Sequence, residues 1–582
     1  MEKVSLTIDN IKVEVDKNLT ILEAARVAGI EIPTLCYLKE VNEIAACRVC
    51  IVEIEGARSL QASCVHPVAE GMIIKTSSQK VRSARKSTVE LILSAHNREC
   101  LTCSRNKSCE LQNVANDLGI SEIKYQGAGP HTTIDESSTA IVRDQTKCIL
   151  CGKCVSACKN VQQVGVLDFT LRGIETIIST SFNADMADTP CIHCGNCISV
   201  CPVAALKEKN NTKEVWDALE NDDLHVVVQT APAVRAALGE EFGLEIGTAV
   251  TGKLVSALKR LGFNKVYDTT FGADLTIMEE GNELLDRINN GGKLPMITSC
   301  CPGWVRFCEF YYPEFIPNLS SCKSPQQMTG AIIKNYYASA NKIDPKKIFS
   351  VSVMPCIAKK SECARDEQKT DAGRDVDVVI TTKELAQMIK EAGIDFARLP
   401  DTDYDHDLLG DNTGAGVIFG ITGGVMEASI RTVAEILEGK ELDKIEYDAV
   451  RGLEGIREAT VELGDKKIRV ALAHGTANAS KLLDKIKAGE ADYDFIEIMA
   501  CSGGCINGGG QPYITMKDRH TKDICALRGS VLYSEDQKTV IRKSHKSPVI
   551  KKLYADYLGE PNGKLAHDLL HTHYSPKDKY TT

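Results

Sequence analysis

Residues 148–158 read CILCGKCVSAC, and residues 191–202 read CIHCGNCISVCP. Each stretch has the spacing C-x₂-C-x₂-C-x₃-C, in which the fourth cysteine of one run ligates the cluster held by the other run. We therefore predict two [4Fe–4S] clusters, one on Cys148, Cys151, Cys154 and Cys201 and one on Cys191, Cys194, Cys197 and Cys158. Lys159 stands where proline usually follows the first run, and about 30 residues separate the two runs. These departures indicate an insertion that leaves all eight ligands in place.

The totals describe a large globular chain. Its 582 residues exceed one ordinary domain, and 43% hydrophobic with 25% charged residues is typical of a folded protein with ample core. No run of about 20 apolar residues occurs, so we expect no membrane span. The opening MEKVSLTIDN lacks a basic and apolar targeting pattern, which favours the cytoplasm. The net charge of −10 argues against nucleic acid as a partner.

The chain has 24 cysteines. Disulfides are expected in small exported proteins, whereas these spacings are those of metal ligands. Zinc sites use four ligands in closed pairs, while C-x₂-C-x₂-C triplets are typical of iron–sulfur clusters. The cysteines therefore predict a protein that carries several iron–sulfur clusters.

A further set of cysteines precedes these motifs. Residues 3–15 alternate around Asp9-Asn10, which predicts a β-hairpin, and a helix is expected from about Thr20. Cysteines then follow with the spacing C-x₁₀-C-x₂-C-x₁₃-C, whose first gap departs from the plant-type ferredoxin pattern. The set, Cys36, Cys47, Cys50 and Cys64, resembles the N-terminal [2Fe–2S] module shared by iron–iron hydrogenases and a large subunit of respiratory complex I. The alternative is scattered core cysteines.

Between the two regions, residues 91–109 read LILSAHNRECLTCSRNKSC. The spacing H-x₃-C-x₂-C-x₅-C predicts another [4Fe–4S] cluster, with one turn of helix bringing the first two ligands onto one face. The predicted ligands are His96, Cys100, Cys103 and Cys109. A four-ligand zinc site is the alternative, and the two neighbouring cluster motifs argue against it.

From about residue 225 the pattern changes to alternating strands and helices. Apolar runs such as HVVVQT (225–230), GVIFG (416–420) and DFIEIM (494–499) predict buried strands of an α/β domain. Three of the predicted strands run directly into cysteines. Because sites in α/β folds form where loops leave the carboxyl ends of strands, we expect these thiols to meet in one cleft. They are Cys300, Cys301, Cys356, Cys501 and Cys505.

TSCCPGW (298–304), MPCIAKKSE (354–362) and MACSGGCINGGGQP (499–512) resemble the three catalytic-cluster motifs of iron–iron hydrogenases. The likeness covers nearly the whole chain, including the ending LLHTHY. It implies a six-iron cluster: Cys301, Cys356, Cys501 and Cys505 hold a cubane, and Cys505 bridges it to a two-iron unit with carbonyl, cyanide and dithiolate ligands. It also implies that Cys300 is not a ligand but passes protons to the bridgehead amine.

The resemblance implies further roles. Protons would pass from Cys300 through Glu280, Ser320 and Glu283 to the surface, although helical carboxylates are more often a solvated face. Lys359 would contact one cyanide and the backbone at Ala231-Pro232 the other. Many family members have serine where this chain has Ala233. We expect Met354, Met499 and Phe419 to wall the pocket, where plain core packing describes each equally well.

Several residues remain outside these sets. Cys308, Cys322, Cys363 and Cys525 have no partner at ligand spacing, so we interpret them as buried or incidental thiols. His567, His571 and His573 look metal-like, but a structural or interface role is favoured.

The predicted fold is multidomain α+β: a β-grasp [2Fe–2S] domain (1–78), a His–Cys₃ domain (79–125), a bacterial two-[4Fe–4S] ferredoxin domain (126–210) and an α/β catalytic domain (211–582). The predicted function is reversible hydrogen oxidation, with a non-catalytic iron–sulfur protein as the alternative. Expected partners are ferredoxin and/or flavin- and NAD(P)-binding subunits, and maturation machinery for the two-iron unit. No nucleotide-binding glycine motif occurs in a βαβ context here, so a nicotinamide site must lie on another chain.

Overall fold

The computed structural model describes residues 2–127, 133–410, 412–441, 445–463 and 466–579. The chain divides into two compact units. One contains Met1–Thr189 and Asn196–Lys207, and the other contains Pro190–Gly195 and Glu208–Thr582.

The N-terminal unit begins with the predicted hairpin. Strands β1 (Lys3–Ile8) and β2 (Ile11–Asp16) pair antiparallel around Asp9 and Asn10, whose φ angles of 46° and 68° suit a tight two-residue turn. They belong to a five-stranded sheet of order β2-β1-β5-β3-β4, with β3 Ile51–Ile54, β4 Gln61–Ala62 and β5 Ile73–Lys75. Helix α1 (Ile21–Val27) begins directly after Thr20, where a helix was predicted to start. Thr20 and Glu23 form a capping box there.

The His–Cys region differs from the prediction in one detail. Helix α2 (Gln79–Ser94) ends before His96, and Cys100–Thr102 is a separate short 3₁₀ turn. The predicted helical turn from His96 to Cys100 is therefore wrong. The chain leaves the helix because the Asn97 amide donates to the carbonyl of Thr146 at 3.0 Å instead of continuing the helical ladder. Helix α3 spans Glu110–Asp117.

The ferredoxin-like motifs surround short elements. Helix α4 (Lys153–Ser156) contains Cys154, and helix α5 (Asn196–Val200) contains Cys197. Each helix therefore begins one residue before the third cysteine of its motif. Strands β6 (Ile134–Asp135), β7 (Ile141–Asp144) and β10 (Leu206–Glu208) form a sheet of order β10-β7-β6. The insertion between the motifs contains an antiparallel hairpin, β8 (Asp168–Thr170) and β9 (Ile177–Ser179).

The C-terminal unit has two four-stranded sheets. The first has the order β12-β11-β14-β17 and is parallel throughout: β11 His225–Thr230, β12 Lys265–Asp268, β14 Ile348–Met354 and β17 Val378–Thr381. The second has the order β13-β20-β19-β18: β13 Met296–Ile297, β18 Ile456–Leu463, β19 Lys466–His474 and β20 Phe495–Met499. There β13, β20 and β19 are parallel, and β18 pairs antiparallel with β19. The antiparallel pair Lys369–Thr370 (β15) and Gly373–Arg374 (β16) stands apart.

Helices pack against these sheets, and residues of both helices and strands form the buried apolar core. They are α6 Thr212–Leu219, α7 Thr251–Leu261, α8 Thr270–Asn290, α9 Pro302–Tyr311, α10 Pro325–Ile332, α11 Ala338–Asn341, α12 Ala358–Cys363, α13 Thr382–Glu391, α14 Gly414–Val417, α15 Gly424–Glu438, α16 Thr476–Lys487, α17 Met516–Thr521, α18 Ile524–Lys538, α19 Pro548–Leu553 and α20 Lys564–Leu570.

One predicted strand is wrong. GVIFG (416–420) lies in α14 and the 3₁₀ turn that follows it. A short apolar run cannot by itself separate a buried strand from a buried helix. Gly416 shows why the helix fits: a Cβ there would lie 2.7 Å from the carbonyl oxygen of Thr270, so this turn packs directly onto the start of α8.

Among the described residues, no helix is both long and apolar enough to cross a membrane.

Candidate active site

Three strands deliver cysteines to one place in the C-terminal unit. Strand β13 leads to Cys300 and Cys301, β14 leads to Cys356, and β20 leads to Cys501 and, one turn later, Cys505. All five residues line a single cavity. The convergence expected at the carboxyl ends of the strands is therefore present.

The cavity suits a cluster rather than a single metal ion. Among the described residues, the groups of three or more metal-ligand atoms that lie within 4.8 Å of one another do not include its thiols. Burial raises the pKa of Cys356 to about 12, so this thiol stays protonated unless a metal displaces the proton. Gly504 has φ +97°, and a Cβ there would approach the Thr422 amide to 2.6 Å. The donor set and the close backbone fit an iron–sulfur cubane.

Cys300 lines the cavity together with the other four thiols and is held through its backbone. The Lys359 ammonium donates to the carbonyl oxygen of Cys300 at 3.1 Å and to Glu362 Oε2 at 2.9 Å. Burial, followed by the charge of Glu280, raises the pKa of the Cys300 thiol well above its ordinary value. The thiol therefore carries a proton at neutral pH.

Glu280 lies on α8 with its carboxyl group wholly buried. Neither carboxylate oxygen has a hydrogen-bond partner among the described residues. Burial and the charge of Glu283 raise the pKa of Glu280 to about 8, and the nearby Ser320 hydroxyl partly offsets this. At pH 7 the group is therefore mostly neutral and can donate a proton.

The remaining residues of the predicted path, by contrast, are hydrogen-bonded to one another. Ser320 Oγ donates to Glu283 Oε2 at 2.8 Å, and Glu283 Oε1 pairs with Arg287 Nη2 at 2.5 Å. The side chains of Glu283 and Arg287 are 13% and 14% exposed. The structure thus brings the predicted serine and second glutamate into contact and places the pair just below the surface.

The cavity also contains the three residues predicted to wall the pocket and the two whose backbone was predicted to contact a cyanide. Ala231, Pro232, Met354, Met499 and Phe419 all line the cavity. Ala233 lines it too and presents only a methyl group.

Sequence reasoning missed three polar residues around this cavity. Glu362 anchors Lys359 and also accepts from Gln326 Nε2 at 3.1 Å, and Gln326 itself lines the cavity. Glu497 accepts from the amides of Gly423 and Met426, each at 2.7 Å, and so binds the start of α15. The available signals were a charge inside the apolar run DFIEIM and the i, i+3 pairing of Lys359 with Glu362.

The N-terminal cysteine set forms two pairs. The sulfur atoms of Cys50 and Cys64 lie 3.3 Å apart, and the thiols of Cys36 and Cys47 also contact each other. A [2Fe–2S] cluster needs two thiolates for each iron, so this arrangement fits one.

The His–Cys set is less closely grouped. Burial raises the pKa of the Cys109 thiol, although the amides of Gln112 and Leu111 and the charge of Arg105 oppose this shift. His96 Nδ1 is buried and lacks a hydrogen-bond partner within the described ranges. Such an unsatisfied imidazole nitrogen fits a ligand role. Cys100 is exposed.

The ferredoxin-like cysteines follow the interleaved pattern where it can be read within one unit. One cavity of the N-terminal unit is lined by Cys148, Cys151, Cys154 and Cys201, and Cys158 is not among its lining residues. Of the other predicted set, Cys158 and Cys197 belong to the N-terminal unit. Cys191 and Cys194 belong to the C-terminal unit, where the Cys191 carbonyl accepts from Arg306.

The C-terminal unit has a buried cavity lined by thiols, with the protonated carboxyl group of Glu280 nearby. The same chain has four further cysteine-rich cluster sites. Together these features define a multi-cluster iron–sulfur redox enzyme. Comparison with known proteins makes this specific. Residues 224–509 match the family described as iron only hydrogenase large subunit, C-terminal domain, and residues 522–577 match iron hydrogenase small subunit. Residues 1–79 match a 2Fe-2S iron-sulfur cluster binding domain, 85–124 the NADH-ubiquinone oxidoreductase-G iron-sulfur binding region and 147–205 a 4Fe-4S dicluster domain.

Full-length relatives agree. The chain is 48% identical to NADP-reducing hydrogenase subunit HndD of Solidesulfovibrio fructosivorans, over 100% of both chains. It is 45% identical to iron hydrogenase 1 of Clostridium pasteurianum, over 98% of this chain and 99% of that one. A solved structure of the [FeFe]-hydrogenase HydA1 from Chlamydomonas reinhardtii aligns with a TM-score of 0.58 and 43% identity, covering 64% of this chain and 100% of that one.

The chain belongs to the iron–iron hydrogenases. It is an enzyme that interconverts hydrogen with protons and electrons at a six-iron cluster, and its accessory [2Fe–2S] and [4Fe–4S] domains relay the electrons. The predicted multidomain α+β fold, enzyme class and cofactors are confirmed. The match to a small-subunit family over residues 522–577 was not anticipated, because the sequence analysis treated that segment only as the end of the catalytic domain.

Proposed function

We propose that Cys300, Glu280, Ser320 and Glu283 form the proton path of this hydrogenase, in that order from the cavity to the surface. The single observation that carries the proposal is the placement of Glu280. This buried, mostly neutral carboxyl group lies on α8, one helical turn from Glu283. Glu283 accepts a hydrogen bond from Ser320 and is partly exposed to solvent. A relay needs groups that can both give and take a proton near the operating pH, and Glu280 meets that need.

The cavity residues would divide the remaining work. Cys301, Cys356, Cys501 and Cys505 would hold the cubane, which together with the two-iron unit supplies an open metal site, a base and an electron sink. Lys359 would hold one cyanide ligand, with Glu362 fixing the position of its ammonium. The backbone at Ala231-Pro232 would face the other cyanide. Met354, Met499 and Phe419 would exclude water.

The accessory cysteines would hold the relay clusters as the spacing predicts. Pairing of thiols supports a [2Fe–2S] cluster on Cys36, Cys47, Cys50 and Cys64. The cavity shared by Cys148, Cys151, Cys154 and Cys201 supports the first ferredoxin-like cluster. The second would be held by Cys191, Cys194, Cys197 and Cys158, and the His96 set would hold the remaining [4Fe–4S] cluster. The domain boundaries proposed from sequence, after residues 78, 125 and 210, separate these cluster regions.

We further propose that the enzyme works as the hydrogen-activating subunit of an NADP(H)-linked complex. The support is the name of the relative that matches it from end to end, NADP-reducing hydrogenase subunit. Flavin- and nicotinamide-binding sites would then lie on other subunits, with ferredoxin as a further electron partner and maturation proteins supplying the two-iron unit. Such a complex fits the cytoplasm, where nicotinamide nucleotides are reduced and thiols stay free.

The relay is tested by hydrogen evolution from reduced viologen with matured, oxygen-free enzyme. Glu283→Gln should lower turnover in both directions while iron content stays unchanged. Unchanged turnover in Glu283→Gln would contradict the proposed path. The partner proposal is tested separately, by oxygen-free purification from the native cell and mass spectrometry of the co-purifying chains. Isolation as a single chain would contradict the complex.

A further inference from the structure

Three potential metal ligands from distant parts of the chain meet at the outer end of the proposed proton path. They are Glu283 on α8, Cys322 in the loop before α10, and His571 directly after α20. Their ligand atoms all lie within 4.8 Å of one another. An isolated β-bridge between Cys322 and His571 fixes the two backbones side by side. From the sequence alone, Cys322 was predicted to be a buried or incidental thiol and His571 to have a structural or interface role.

A thiolate, an imidazole and a carboxylate are the ligands that zinc prefers, and three protein ligands leave a fourth position for water. We propose that Glu283, Cys322 and His571 bind a zinc-class divalent cation, Zn²⁺ or Cd²⁺, and that the bound ion inhibits proton transfer. This inference rests on the proposed function, because inhibition requires the path through Glu283. Binding exchanges the thiol proton of Cys322, which leaves to solvent, for a metal–sulfur bond.

The imidazole is already oriented as metal-binding histidines are. His571 Nε2 lies 3.1 Å from Glu279 Oε2, and Nδ1 lies 2.8 Å from Ser321 Oγ. Ser321 also donates its backbone amide to the Glu283 carboxylate at 3.2 Å, so Nδ1 and the Glu283 carboxylate contact the same residue. Coordination through Nδ1 would leave Nε2–H bonded to Glu279, the carboxylate–histidine–metal arrangement that fixes the tautomer of ligating histidines.

Glu279 is itself held rigidly. It is fully buried, its Oε2 accepts from the Asn562 amide at 2.8 Å, and its Oε1 accepts from the Tyr554 hydroxyl. A carboxylate with this many hydrogen-bond donors keeps its position. It therefore supports an imidazole that must act as a ligand without rotating.

The same oxygen of Glu283 serves both the relay and the proposed site. Glu283 Oε2 accepts from Ser320 Oγ at 2.8 Å and lies 3.8 Å from the Cys322 sulfur. An ion bound between that oxygen and the sulfur would replace the Ser320 proton as the partner of Oε2. Arg287 can stay paired with Oε1, at 2.5 Å, so coordination does not require the ion pair to break.

The site is near enough to the surface for exchange. Glu283 and Arg287 are partly exposed, and the exposed His567 ring stacks on His571 with centroids 4.6 Å apart. A cation can therefore approach past an imidazole before it reaches the buried thiol.

The coordination is tested on full-length holoenzyme equilibrated with ZnCl₂ and freed of unbound metal, by metal analysis and X-ray absorption at the zinc edge. We expect one zinc per chain with one sulfur at about 2.3 Å and nitrogen or oxygen ligands at about 2.0–2.2 Å. Cys322→Ser should remove the sulfur shell, and His571→Gln should abolish tight binding. Glu279→Gln should weaken binding by roughly 10- to 100-fold. Cys308→Ser, at a buried thiol elsewhere, and His573→Ala are matched controls that should change nothing.

Absence of bound zinc, an all-sulfur shell from zinc in the cluster sites, or a sulfur shell that survives Cys322→Ser would each overturn the site. The functional arm measures hydrogen evolution with and without zinc, and chelation should restore activity. Inhibition should be lost in His571→Gln, while dithionite reduction of the accessory clusters should be unaffected by zinc. Zinc bound as described without inhibition would overturn the inhibitory role and count against the relay, not against the coordination. Equal inhibition of His571→Gln would place the inhibition elsewhere and overturn it.

Discussion

The Lys359 ammonium and the backbone carbonyl oxygen of Cys300 are joined by a hydrogen bond of 3.1 Å. The residue proposed to hold a cyanide ligand therefore also fixes the backbone of the residue proposed to deliver the proton. Glu362 completes the arrangement at 2.9 Å from the same ammonium. The buried pair of Lys359 and Glu362 would thus set the positions of both the cofactor and the proton-donating Cys300.

Glu362→Gln should loosen this group. The amide keeps a hydrogen bond to Lys359 but loses the charge that stabilises the buried ammonium. We expect normal cubane content, less two-iron unit retained after maturation, and shifted carbonyl and cyanide bands in the infrared spectrum. Glu367→Gln, near the surface, is the matched control and should leave the bands unchanged. Unshifted bands in Glu362→Gln would show that Lys359 is held without Glu362.

Cys300→Ala should remove the first proton donor while sparing the clusters. Turnover in both directions should fall by roughly 10²- to 10⁴-fold, the usual loss when a positioned acid–base group is deleted. Iron content and the infrared bands of the oxidised cofactor should stay close to those of the unaltered enzyme. Cys308→Ala removes another buried thiol and should keep its activity. A Cys300→Ala enzyme that loses two irons would make Cys300 a ligand instead.

Glu280 predicts a pH dependence with a definite sign. Its pKa of about 8 means that the carboxyl group is protonated below that pH and ionised above it. Hydrogen evolution needs an inward proton donor, so its rate should fall as the pH rises through about 8. Hydrogen oxidation needs an acceptor and should be favoured over the same range. Assays of both directions from pH 6 to 10 provide the measurement.

The amide of Glu280→Gln cannot exchange a proton. This variant should therefore lose most activity, and its remaining rate should no longer show the pH limb, which is the fall in hydrogen evolution as the pH rises through about 8. Glu280→Asp keeps the titrating group and should retain a limb with lower rates. A limb that persists in Glu280→Gln would assign it to another group.

Features encoded by neighbouring residues could be predicted from the sequence, whereas features that depend on contacts between distant segments could not. The hairpin at Asp9-Asn10 and the cysteine motifs are encoded by adjacent residues, and the structure reproduces them. GVIFG was misassigned because its helix is decided by packing against α8, which no local pattern records. Glu497 was missed for the same reason, since its partners come from another segment, whereas Glu362 has a local partner in Lys359 that the sequence could have indicated. The meeting of Glu283, Cys322 and His571 could not be inferred, because it joins residues almost 300 positions apart.

Cys201→Ser tests the interleaved ligands of the ferredoxin-like region. Cys201 lines the same cavity as Cys148, Cys151 and Cys154, although it lies 47 positions after Cys154 in the chain. We therefore expect Cys201→Ser to change the cluster of the first motif and Cys158→Ser to change that of the second. A serine alkoxide is a poorer match for iron than a thiolate, so each variant should lower the potential of its cluster or convert it to a three-iron form.

Electron paramagnetic resonance during a reductive titration separates the two clusters. The signal altered by Cys201→Ser should also be altered by Cys148→Ser, and the signal altered by Cys158→Ser should match that of Cys191→Ser. Cys363→Ser, at a buried thiol outside every cluster set, controls for the substitution itself. If Cys201→Ser instead altered the same signal as Cys191→Ser, all four cysteines of each motif would ligate one cluster. The interleaved ligand assignment would then be wrong.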